Sequence, residues 1–361
     1  MSRAATALID LRALQANLQT VRQRCPAARI LAVIKANAYG HGMVRVARVL
    51  GQADAFGVAS IDEALCLRAA GIRHPVVLLE GFFEAAELPL IAREQFAIVI
   101  HDSQQLQILE AFPLERPLTV WLKIDSGMHR LGFSIDKAAT AYERLRRCSQ
   151  VADIVLMSHL ACADERTSPV TPRQMNVFNA TVEDLAGPRS MANSAGILYW
   201  PETHAQWVRP GIMLYGASPC SDRVGAEDGL QAVMRLQSVL IAVRHCRCGE
   251  AVGYGGSWCC PEDMPLGIVA IGYGDGYPRK ISADAVVLIA GRRVPIVGRV
   301  SMDMLTVDLR SCPEAHCGDP VILWGADLPV EEVASWAGTI SYELLCAVSS
   351  RVHFSEYGEL G

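Results

Sequence analysis

The sequence predicts an α/β fold, in which a (β/α)8 barrel of the TIM type is followed by a mostly β C-terminal domain. Short apolar runs alternate with helical stretches from about residue 29 to 215, whereas short strands separated by turns dominate after about residue 230. The length of 361 residues also corresponds to about two domains at roughly 150 residues each. We therefore expect residues 1–230 to form the barrel and residues 231–361 the β domain, with the first strand, about residues 1–10, compatible with either.

Eight apolar runs in the first part of the chain are candidate barrel strands. Several are nearly continuous in apolar residues, which is typical of parallel strands buried on both faces. Eight strand–helix steps favour a closed barrel over an open doubly wound sheet. The candidate strands are 30–35, 55–60, 75–80, 96–100, 118–124, 152–158, 189–193 and 208–214. The candidate helices are 41–50, 61–70, 84–94, 103–111, 135–148 and 171–185.

Residues at the ends of the candidate helices agree with this assignment. Ser103 and Thr171 stand where N-cap residues are expected, and Gly71 and Gly187 follow helical stretches. In the second part, Gly, Pro and Asp turns separate the strands, and one helix is predicted at 330–336. The predicted strands are 236–244, 266–271, 285–289, 293–297, 305–308 and 320–324.

Composition excludes several classes of protein. The net charge of −5 does not suit a general nucleic-acid binder, which is normally basic. No run reaches the ~18 apolar residues of a membrane span, and the N-terminus lacks the apolar core of a secretion signal. The 12 cysteines are scattered without C-x-x-C spacing, so we expect no metal site and free thiols in a cytoplasmic protein.

The segment Ala32-Val-Ile-Lys-Ala-Asn-Ala-Tyr-Gly-His-Gly42 is the first candidate for chemistry. It places Lys35 at the end of an apolar strand, and strand ends at the C-terminal face of a barrel point into the catalytic mouth. Desolvation there lowers the pKa of a lysine, and a neutral amine forms Schiff bases. A strand-end lysine that reaches solvent is the alternative, and spacing alone favours it. The glycines that follow favour a site, because they permit close approach to a ligand.

This segment closely resembles the pyridoxal-phosphate lysine motif of bacterial alanine racemases. The resemblance continues in order over nearly the whole chain, and it implies a fold-type III enzyme with a barrel and a β domain that works as a head-to-tail homodimer. The further matching segments are LKIDSGMHRLGF (122–133), SHLACADE (158–165), ANSAG (192–196), WVRPGIMLYGASP (207–219), VGYGGSW (252–258), IGYGDGYPR (271–279), VGRVSMDM (297–304) and TISYELLCAVSSRV (339–352).

The resemblance implies pyridoxal 5′-phosphate as the cofactor, bound covalently by Lys35. Arg209 would contact the pyridine nitrogen, and because arginine only donates, that nitrogen would stay unprotonated. Barrels commonly bind phosphate at their last two βα loops, which agrees with the position of part of the implied phosphate site. The residues implied to bind the phosphate are Tyr39, Ser194, Gly211, Ile212 and Tyr342. The alternative for Ser194 alone is an N-cap of the next helical turn.

Racemisation needs a proton-transferring group on each face of a planar carbanion. By resemblance, Lys35 serves one face and Tyr254 of the partner subunit serves the other, so that each active site is composite. A tyrosine with a pKa near ~10 is a poor base unless a cation or donor stabilises its phenolate. The resemblance implies that Arg209 polarises His159, which contacts Tyr254. The alternative for a lone His on an apolar strand is a core residue.

Other matching residues would bind the substrate, alanine. Lys123 is carbamylated in many relatives, and such a carbamate would orient Arg130 toward the substrate carboxylate; pairing of Lys123 with Asp125 is the alternative. Met302, Asp303 and Tyr273 match residues at the substrate mouth.

The chain departs from some relatives near its C-terminus. Ser350 stands where they have a tyrosine, and His353-Phe354 replaces Pro-Arg, which affects selection by substrate size. The primary prediction is interconversion of L- and D-alanine, either to supply D-alanine for peptidoglycan or to catabolise alanine. The alternatives are a broad-specificity amino-acid racemase, a fold-type III decarboxylase, and a non-catalytic pyridoxal-phosphate carrier. The carrier type lacks a β domain, and a decarboxylase has no need of Tyr254 as a second base.

Overall fold

The computed structural model describes residues 3–358 of the chain. These residues form two compact units. One comprises residues 17–214, and the other combines residues 3–16 with 215–358. Each unit is built around its own sheet, a closed parallel barrel in the first and a mainly antiparallel sheet in the second.

The first unit confirms the predicted closed barrel of eight parallel strands. Each strand pairs with the next one in the chain, and the last strand pairs with the first through Trp207 opposite Arg29. The strands are β2 (Arg29–Val33), β3 (Ala55–Val58), β4 (Val76–Leu78), β5 (Ala97–Ile100), β6 (Leu118–Lys123), β7 (Val151–Met157), β8 (Arg189–Ser190) and β9 (Trp207–Val208). The last two are much shorter than predicted. Pro210, which cannot donate to a sheet, follows β9 after one residue.

The core of the barrel is apolar because its strands bury both faces. A cluster of aliphatic side chains with one indole fills the interior, and Trp121 and Trp207 meet edge to face with ring centroids 5.4 Å apart. The buried members of the cluster are Leu31, Ala55, Val77, Val99, Trp121, Val155 and Met157. This packed interior leaves the strand ends and their loops to carry function.

Helical segments follow most barrel strands, as the sequence predicts. They are α2 (Lys35–Tyr39), α3 (Met43–Val49), α4 (Ile61–Ala69), α5 (Leu88–Glu94), α6 (Ser103–Ala111), α7 (Ile135–Arg147), α8 (Val170–Thr181) and α9 (Ser194–Tyr199), whereas α1 (Leu11–Arg24) precedes the first barrel strand. Two predicted N-caps are wrong. The cap of α6 is Asp102, whose side chain accepts from the amides of Gln104 and Gln105, and Thr171 lies inside α8. Ser103 is therefore the first residue of its helix rather than its cap.

The second unit contains the predicted β domain together with residues 3–16 and 215–230, which were assigned from the sequence to the first domain or left open. Its sheet order is β13-β16-β15-β14-β17-β10-β1-β18, and β13 also pairs with β10, which closes six of the strands into a ring. Strand β1, from the start of the chain, pairs with β10 and β18. The strands are β1 (Thr6–Asp10), β10 (Met234–Cys246), β11 (Ala251–Val252), β12 (Trp258–Cys259), β13 (Met264–Val269), β14 (Val286–Ile289), β15 (Arg292–Val297), β16 (Leu305–Asp308), β17 (Pro320–Trp324) and β18 (His353–Tyr357).

Two helices complete this unit. The first, α10 (Val330–Ala337), was predicted, whereas α11 (Ser341–Ala347) and β18 were not. Short 3-10 turns hold the loops at 254–256 and 273–275. These loops carry Tyr254 and Tyr273, two of the candidate site residues.

Candidate active site

Four charged or titratable candidates lie at the C-terminal ends of barrel strands. Lys35 follows β2 after one residue, Lys123 is the last residue of β6, and Arg209 comes directly after β9. His159 stands two residues beyond β7. Because the C-terminal ends of parallel strands in a closed barrel lie at one face, these four side chains share one mouth.

The chain after Lys35 adopts an unusual backbone. The residues from Ala36 to Tyr39 have φ between 50° and 55°, and Gly40 follows at 80°. This is one turn of left-handed helix, a conformation that costs L-amino acids about 1–2 kcal/mol per residue. A hydrogen bond of 2.9 Å from the amide of Gly42 to the carbonyl of Asn37 helps to hold it. The turn α2 is thus strained and needs support from its surroundings.

A tight cradle forms where Tyr39, Ser194 and Gly211 meet. The amide of Gly211 donates to Oγ of Ser194 over 2.9 Å. A Cβ at residue 211 would lie 2.5 Å from Oη of Tyr39, so any other residue there would displace the Tyr39 phenol. Ile212 follows as a fully buried residue at the start of a 3-10 turn. Hydroxyl groups beside a close-approaching backbone suit a phosphate group.

The N-cap alternative for Ser194 is wrong. Asn193 is the cap of α9, since its Oδ1 accepts from the amide of Gly196 over 3.0 Å. Ser194 is the first residue of the helix and is buried, with its hydroxyl directed at the loop after β9. This arrangement leaves the Ser194 hydroxyl in the cradle.

Arg209 is buried among four acceptors. Its guanidinium donates to the carbonyl of Ser158 over 2.6 Å and to Oγ of Ser190 over 2.5 Å. It also donates to the carbonyl of Met191 and to Nδ1 of His159, each over 3.2 Å. Burial lowers the pKa of Arg209 to about 10, which still leaves it protonated at neutral pH. Arg209 is therefore a buried residue and not a surface arginine.

His159 is neutral at this site. Burial, and then the positive charges of Arg209 and Lys123, hold the pKa of its imidazole well below the ordinary value. Since Arg209 can only donate, Nδ1 of the neutral ring accepts and Nε2 carries the proton. The arginine thus fixes the tautomer of His159 and presents Nε2–H as a donor.

Lys123 is buried in a cationic neighbourhood. Burial, and then the charges of Arg209, Arg130 and Lys35, lower the pKa of its amine to about 8. Arg130 itself is exposed, in the loop between β6 and α7. A mouth with this many positive groups suits a dianionic phosphate and a substrate carboxylate. The carboxylate of Asp125 accepts from the amides of Gly127 and Met128, and it pairs with His129 rather than with Lys123.

Two supporting residues escaped the sequence analysis. Gln174 on α8 is buried; its Nε2 donates to the carbonyl of His159 over 3.1 Å and its Oε1 accepts from the amide of Ala161 over 2.8 Å. Glu63 on α4 accepts from the amide of Ala36 over 2.7 Å. A polar residue on a buried helical face is the signal that marks Gln174, whereas Glu63 has no signal in the sequence.

The remaining candidates lie in the second unit. Tyr254 is 69% exposed in the turn between β11 and β12, and Tyr342 is on α11. The loops that carry Tyr273 and Met302 are joined, because the amide of Gly274 donates to the carbonyl of Met302 over 2.8 Å. Met302 is 53% exposed.

Asp303 is held by arginine. Arg351 donates to its carboxylate over 2.5 Å, and this hydrogen bond lowers the pKa of Asp303. Arg351 and Arg3 also pair with the carboxylate of Asp275, which is fully buried. Asp303 is therefore occupied by an ion pair within this unit, so its carboxylate serves to shape the loop.

The helices of residues 3–358 include none long and apolar enough to cross a membrane. The same residues contain no cluster of three or more His, Cys, Asp or Glu side chains suited to a metal ion.

Comparisons with known proteins find relatives along almost the entire chain. The family model for the alanine racemase N-terminal domain matches residues 9–219, and the model for the C-terminal domain matches residues 233–355. An alanine racemase of Shewanella sediminis is 54% identical over 345 residues, covering 95% of this chain and 96% of the relative. A biosynthetic alanine racemase of Escherichia coli K12 is 52% identical over 351 residues, covering 97% and 98%.

Solved structures agree with these sequence relationships. The crystal structure of biosynthetic alanine racemase from Pseudomonas aeruginosa matches with a TM-score of 0.96 at 46% identity, covering 98% of this chain and 99% of that chain. An alanine racemase of Bartonella henselae, determined with covalently bound pyridoxal phosphate, matches with a TM-score of 0.88 at 29% identity. That match covers 98% of this chain and 99% of the other.

Proposed function

The chain belongs to the alanine racemase family and interconverts L-alanine and D-alanine with pyridoxal phosphate, and we propose that Lys35 and Tyr254 carry the two proton transfers. The observation that carries the proposal is the barrel mouth, where Lys35 shares one face with the Arg209–His159 pair. A lysine amine among cations, beside a cradle shaped for phosphate, is the set of groups that this cofactor requires.

The residues of the barrel fit the cofactor. We assign covalent attachment to the Lys35 amine, and phosphate binding to the hydroxyls of Tyr39 and Ser194 and the backbone at Gly211 and Ile212. Tyr342, which belongs to the β domain, is assigned to the phosphate as well. The lack of room for a Cβ at residue 211 supports this assignment, because backbone must approach the phosphate closely. When bound, pyridoxal phosphate supplies an electron-withdrawing ring that acidifies the α-proton of the substrate amino acid.

We propose that Arg209 sets the protonation state of the pyridine ring of the cofactor. The guanidinium is buried and stays protonated at neutral pH, so it offers only N–H donors. We propose that one of these N–H groups binds the pyridine nitrogen and keeps it as an unprotonated acceptor. An unprotonated pyridine ring would withdraw electrons less strongly than a protonated one, and this would favour prompt reprotonation of the substrate carbon over side reactions.

The proton transfers need a group on each face of the substrate. We propose that the Lys35 amine removes or returns the proton on one face and that the phenol of Tyr254 of the partner subunit does so on the other. The exposure of Tyr254, at 69%, supports a role outside its own unit. The donor Nε2–H of His159 would stabilise the phenolate that a tyrosine base requires.

Substrate binding is assigned to cationic and backbone groups. Arg130, the backbone amide of Met302, and Tyr273 would bind the alanine carboxylate, and Asp303 would shape the Met302 loop through Arg351. Lys123 is proposed to be carbamylated: its neutral amine attacks CO₂, a C–N bond forms, and one proton leaves. The lowered pKa of about 8 supports this, since it provides neutral amine near physiological pH.

We propose a homodimer with composite sites, located in the cytoplasm. All twelve cysteines lie within the described residues and carry free thiols, which suits a reducing compartment. The relatives named as biosynthetic support supply of D-alanine for peptidoglycan as the physiological role, with alanine catabolism as the alternative.

The proposal is tested by trapping the cofactor on its lysine. Borohydride reduction of the holoprotein should fix the cofactor to the peptide that contains Lys35, as measured by mass spectrometry. Lys35→Ala should lose this adduct, the visible absorbance band and racemisation in both directions, whereas Lys137→Ala on the outer helix α7 should keep all three. A reducible adduct retained in Lys35→Ala would contradict the assignment.

A further inference from the structure

A carboxylate outside the proposed chemistry supports the turn α2. Glu63 lies in the first turn of α4, and its Oε1 accepts from the amide of Ala36 over 2.7 Å. Its Oε2 accepts from the amide of Ala59 over 2.8 Å. Each oxygen thus takes one backbone N–H, and the carboxylate bridges the loops that follow β2 and β3.

The hydrogen bond from Ala36 to Glu63 acts where the left-handed backbone begins. Ala36 directly follows Lys35 and is the first left-handed residue, with φ 53° and ψ 51°. This conformation is unfavourable for alanine, so it persists only where the surroundings determine it. A hydrogen bond to an ionised carboxylate is about twice as strong as one between neutral groups. Glu63 is therefore well placed to fix the backbone on which Lys35 stands.

The far end of the turn has its own restraints. Nδ1 of His41 contacts the carbonyl oxygens of Ala38 and Tyr39 over 3.1 and 2.9 Å. Oδ1 of Asn37 accepts from the amide of Met43 over 2.9 Å. These bonds hold the end that carries Tyr39. At the Lys35 end, the amide of Ala38 donates to the carbonyl of Ile34 over 2.8 Å, and Glu63 supplies the side-chain contact to Ala36.

We propose that Glu63 is a positioning residue, which holds Ala36 in its left-handed conformation and so directs Lys35 and Tyr39 toward one ligand. This inference rests on the proposed function, in which Lys35 binds the cofactor carbon and Tyr39 its phosphate. Glu63 touches neither substrate nor cofactor in this role. It acts only through the backbone of the turn, and this makes two separable predictions.

The first test compares Glu63→Gln with Asp62→Asn. Both variants remove one negative charge from the first turn of α4, so any effect of helix-dipole electrostatics is matched. Release of pyridoxal phosphate from diluted holoprotein, followed by loss of its visible absorbance, should be about tenfold faster in Glu63→Gln than in wild type. Hydrogen exchange of the peptide spanning 34–42 should also rise in Glu63→Gln. Asp62→Asn should match wild type in both measurements, and equal release from the two variants would overturn the proposal.

The second test uses rescue by glycine. Glycine adopts positive φ without the penalty that alanine bears, so Ala36→Gly removes the need for Glu63 to hold this residue. Cofactor release should be fast in Glu63→Ala and should return most of the way to the wild-type rate in Glu63→Ala/Ala36→Gly. A role of Glu63 in general folding gives no such recovery, and an unrescued double variant would overturn the proposal.

Borohydride trapping on wild type distinguishes failure of the positioning role of Glu63 from failure of the proposed function. A trapped adduct on Lys35, together with unchanged cofactor release in Glu63→Gln, overturns the role of Glu63 and leaves the proposed function intact. Absence of any adduct on Lys35 in wild type overturns the proposed function and, with it, the positioning role.

Discussion

A guanidinium nitrogen of Arg209 lies 3.2 Å from Nδ1 of His159, and both side chains stand at the mouth of the barrel. The contact joins a permanent donor to a ring that its neighbours keep neutral. It therefore assigns the imidazole proton to Nε2, the nitrogen that is available to a ligand or to a residue from outside the barrel. The pair transmits the positive charge of the buried arginine without adding a charged imidazole to the site.

Replacing Arg209 tests how much the hydrogen bonds of its buried guanidinium contribute to the free energy of unfolding. Lysine cannot reach the four acceptors around Arg209, so at least one buried acceptor loses its partner. We expect the free energy of unfolding of Arg209→Lys to fall by about 1–3 kcal/mol. Arg147→Lys, at an arginine whose side chain is 83% exposed, should change it by less than about 0.5 kcal/mol. Urea unfolding followed by circular dichroism measures both free energies. Equal midpoints of the two variants would contradict the stabilising role of the Arg209 guanidinium.

Tyr254 should show its role as a base for one face only. Tyr254→Phe removes the phenol and leaves the barrel groups unchanged, so the holoprotein should keep its cofactor absorbance while losing racemisation. Exchange of the α-proton with deuterated water should then survive for one enantiomer of alanine and fail for the other. Nuclear magnetic resonance of L- and D-alanine in parallel measures this exchange. Equal exchange of both enantiomers would show that Tyr254 does not serve one face.

The sequence allowed prediction of the strand ends but not of the backbone between them. Apolar runs predict where β2, β6 and β7 end, and Lys35, Lys123 and His159 lie at or just beyond those ends, whereas Arg209, predicted near the start of a strand, follows the end of β9. The left-handed turn after Lys35 was not predictable. Four consecutive non-glycine residues with positive φ contradict local propensity, and a tertiary contact such as that of Glu63 is not visible in the local sequence.

Other differences have equally local causes. The predicted strand 208–214 ends at Val208, since Pro210 removes a donor and Gly211 must approach Ser194. Asn193 and Ser194 are both good capping residues, and the sequence does not reveal which of them caps α9. The assignment of individual residues to substrate and to proton transfer stays a prediction.

Acid should weaken the fold through His41. This imidazole is fully buried, and burial lowers its pKa to about 4 despite the carbonyls of Tyr39 and Ala38, which act in the opposite direction. Between pH 6.5 and 4 the unfolded chain therefore binds a proton at His41 that the folded chain does not. Stability is lost as the pH falls through this range, by up to about 3 kcal/mol at the lower end.

Comparison with a variant isolates this contribution from other titrating groups. In His41→Asn the part of the pH dependence due to the imidazole should disappear, so the free energies of unfolding of wild type and variant should converge as the pH falls from 6.5 to 4. His316→Asn, at a histidine whose side chain is 79% exposed, should stay parallel to wild type. Parallel curves for His41→Asn as well would contradict a neutral buried imidazole.

The composite site makes a prediction about mixed dimers. Lys35 belongs to the barrel unit and Tyr254 to the β unit, so inactive Lys35→Ala and Tyr254→Ala chains each retain the residue that the other lacks. If each site takes its barrel from one chain and its Tyr254 from the partner subunit, a mixed dimer contains one site with both residues and one with neither. With statistical exchange, half of the dimers are mixed and each has one intact site. Activity should therefore recover to about a quarter of that of wild type.

Subunit exchange must be proven independently, since only then does the activity report on the site. Differently tagged chains purified in tandem give the mixed dimer alone, whose activity should approach half that of wild type because one of its two sites is intact. Each parent variant treated alone in the same way should stay inactive, which excludes recovery from refolding. A purified mixed dimer without activity would mean that Lys35 and Tyr254 act within one chain. In that case the second proton-transferring group would be Tyr254 of the same subunit as Lys35.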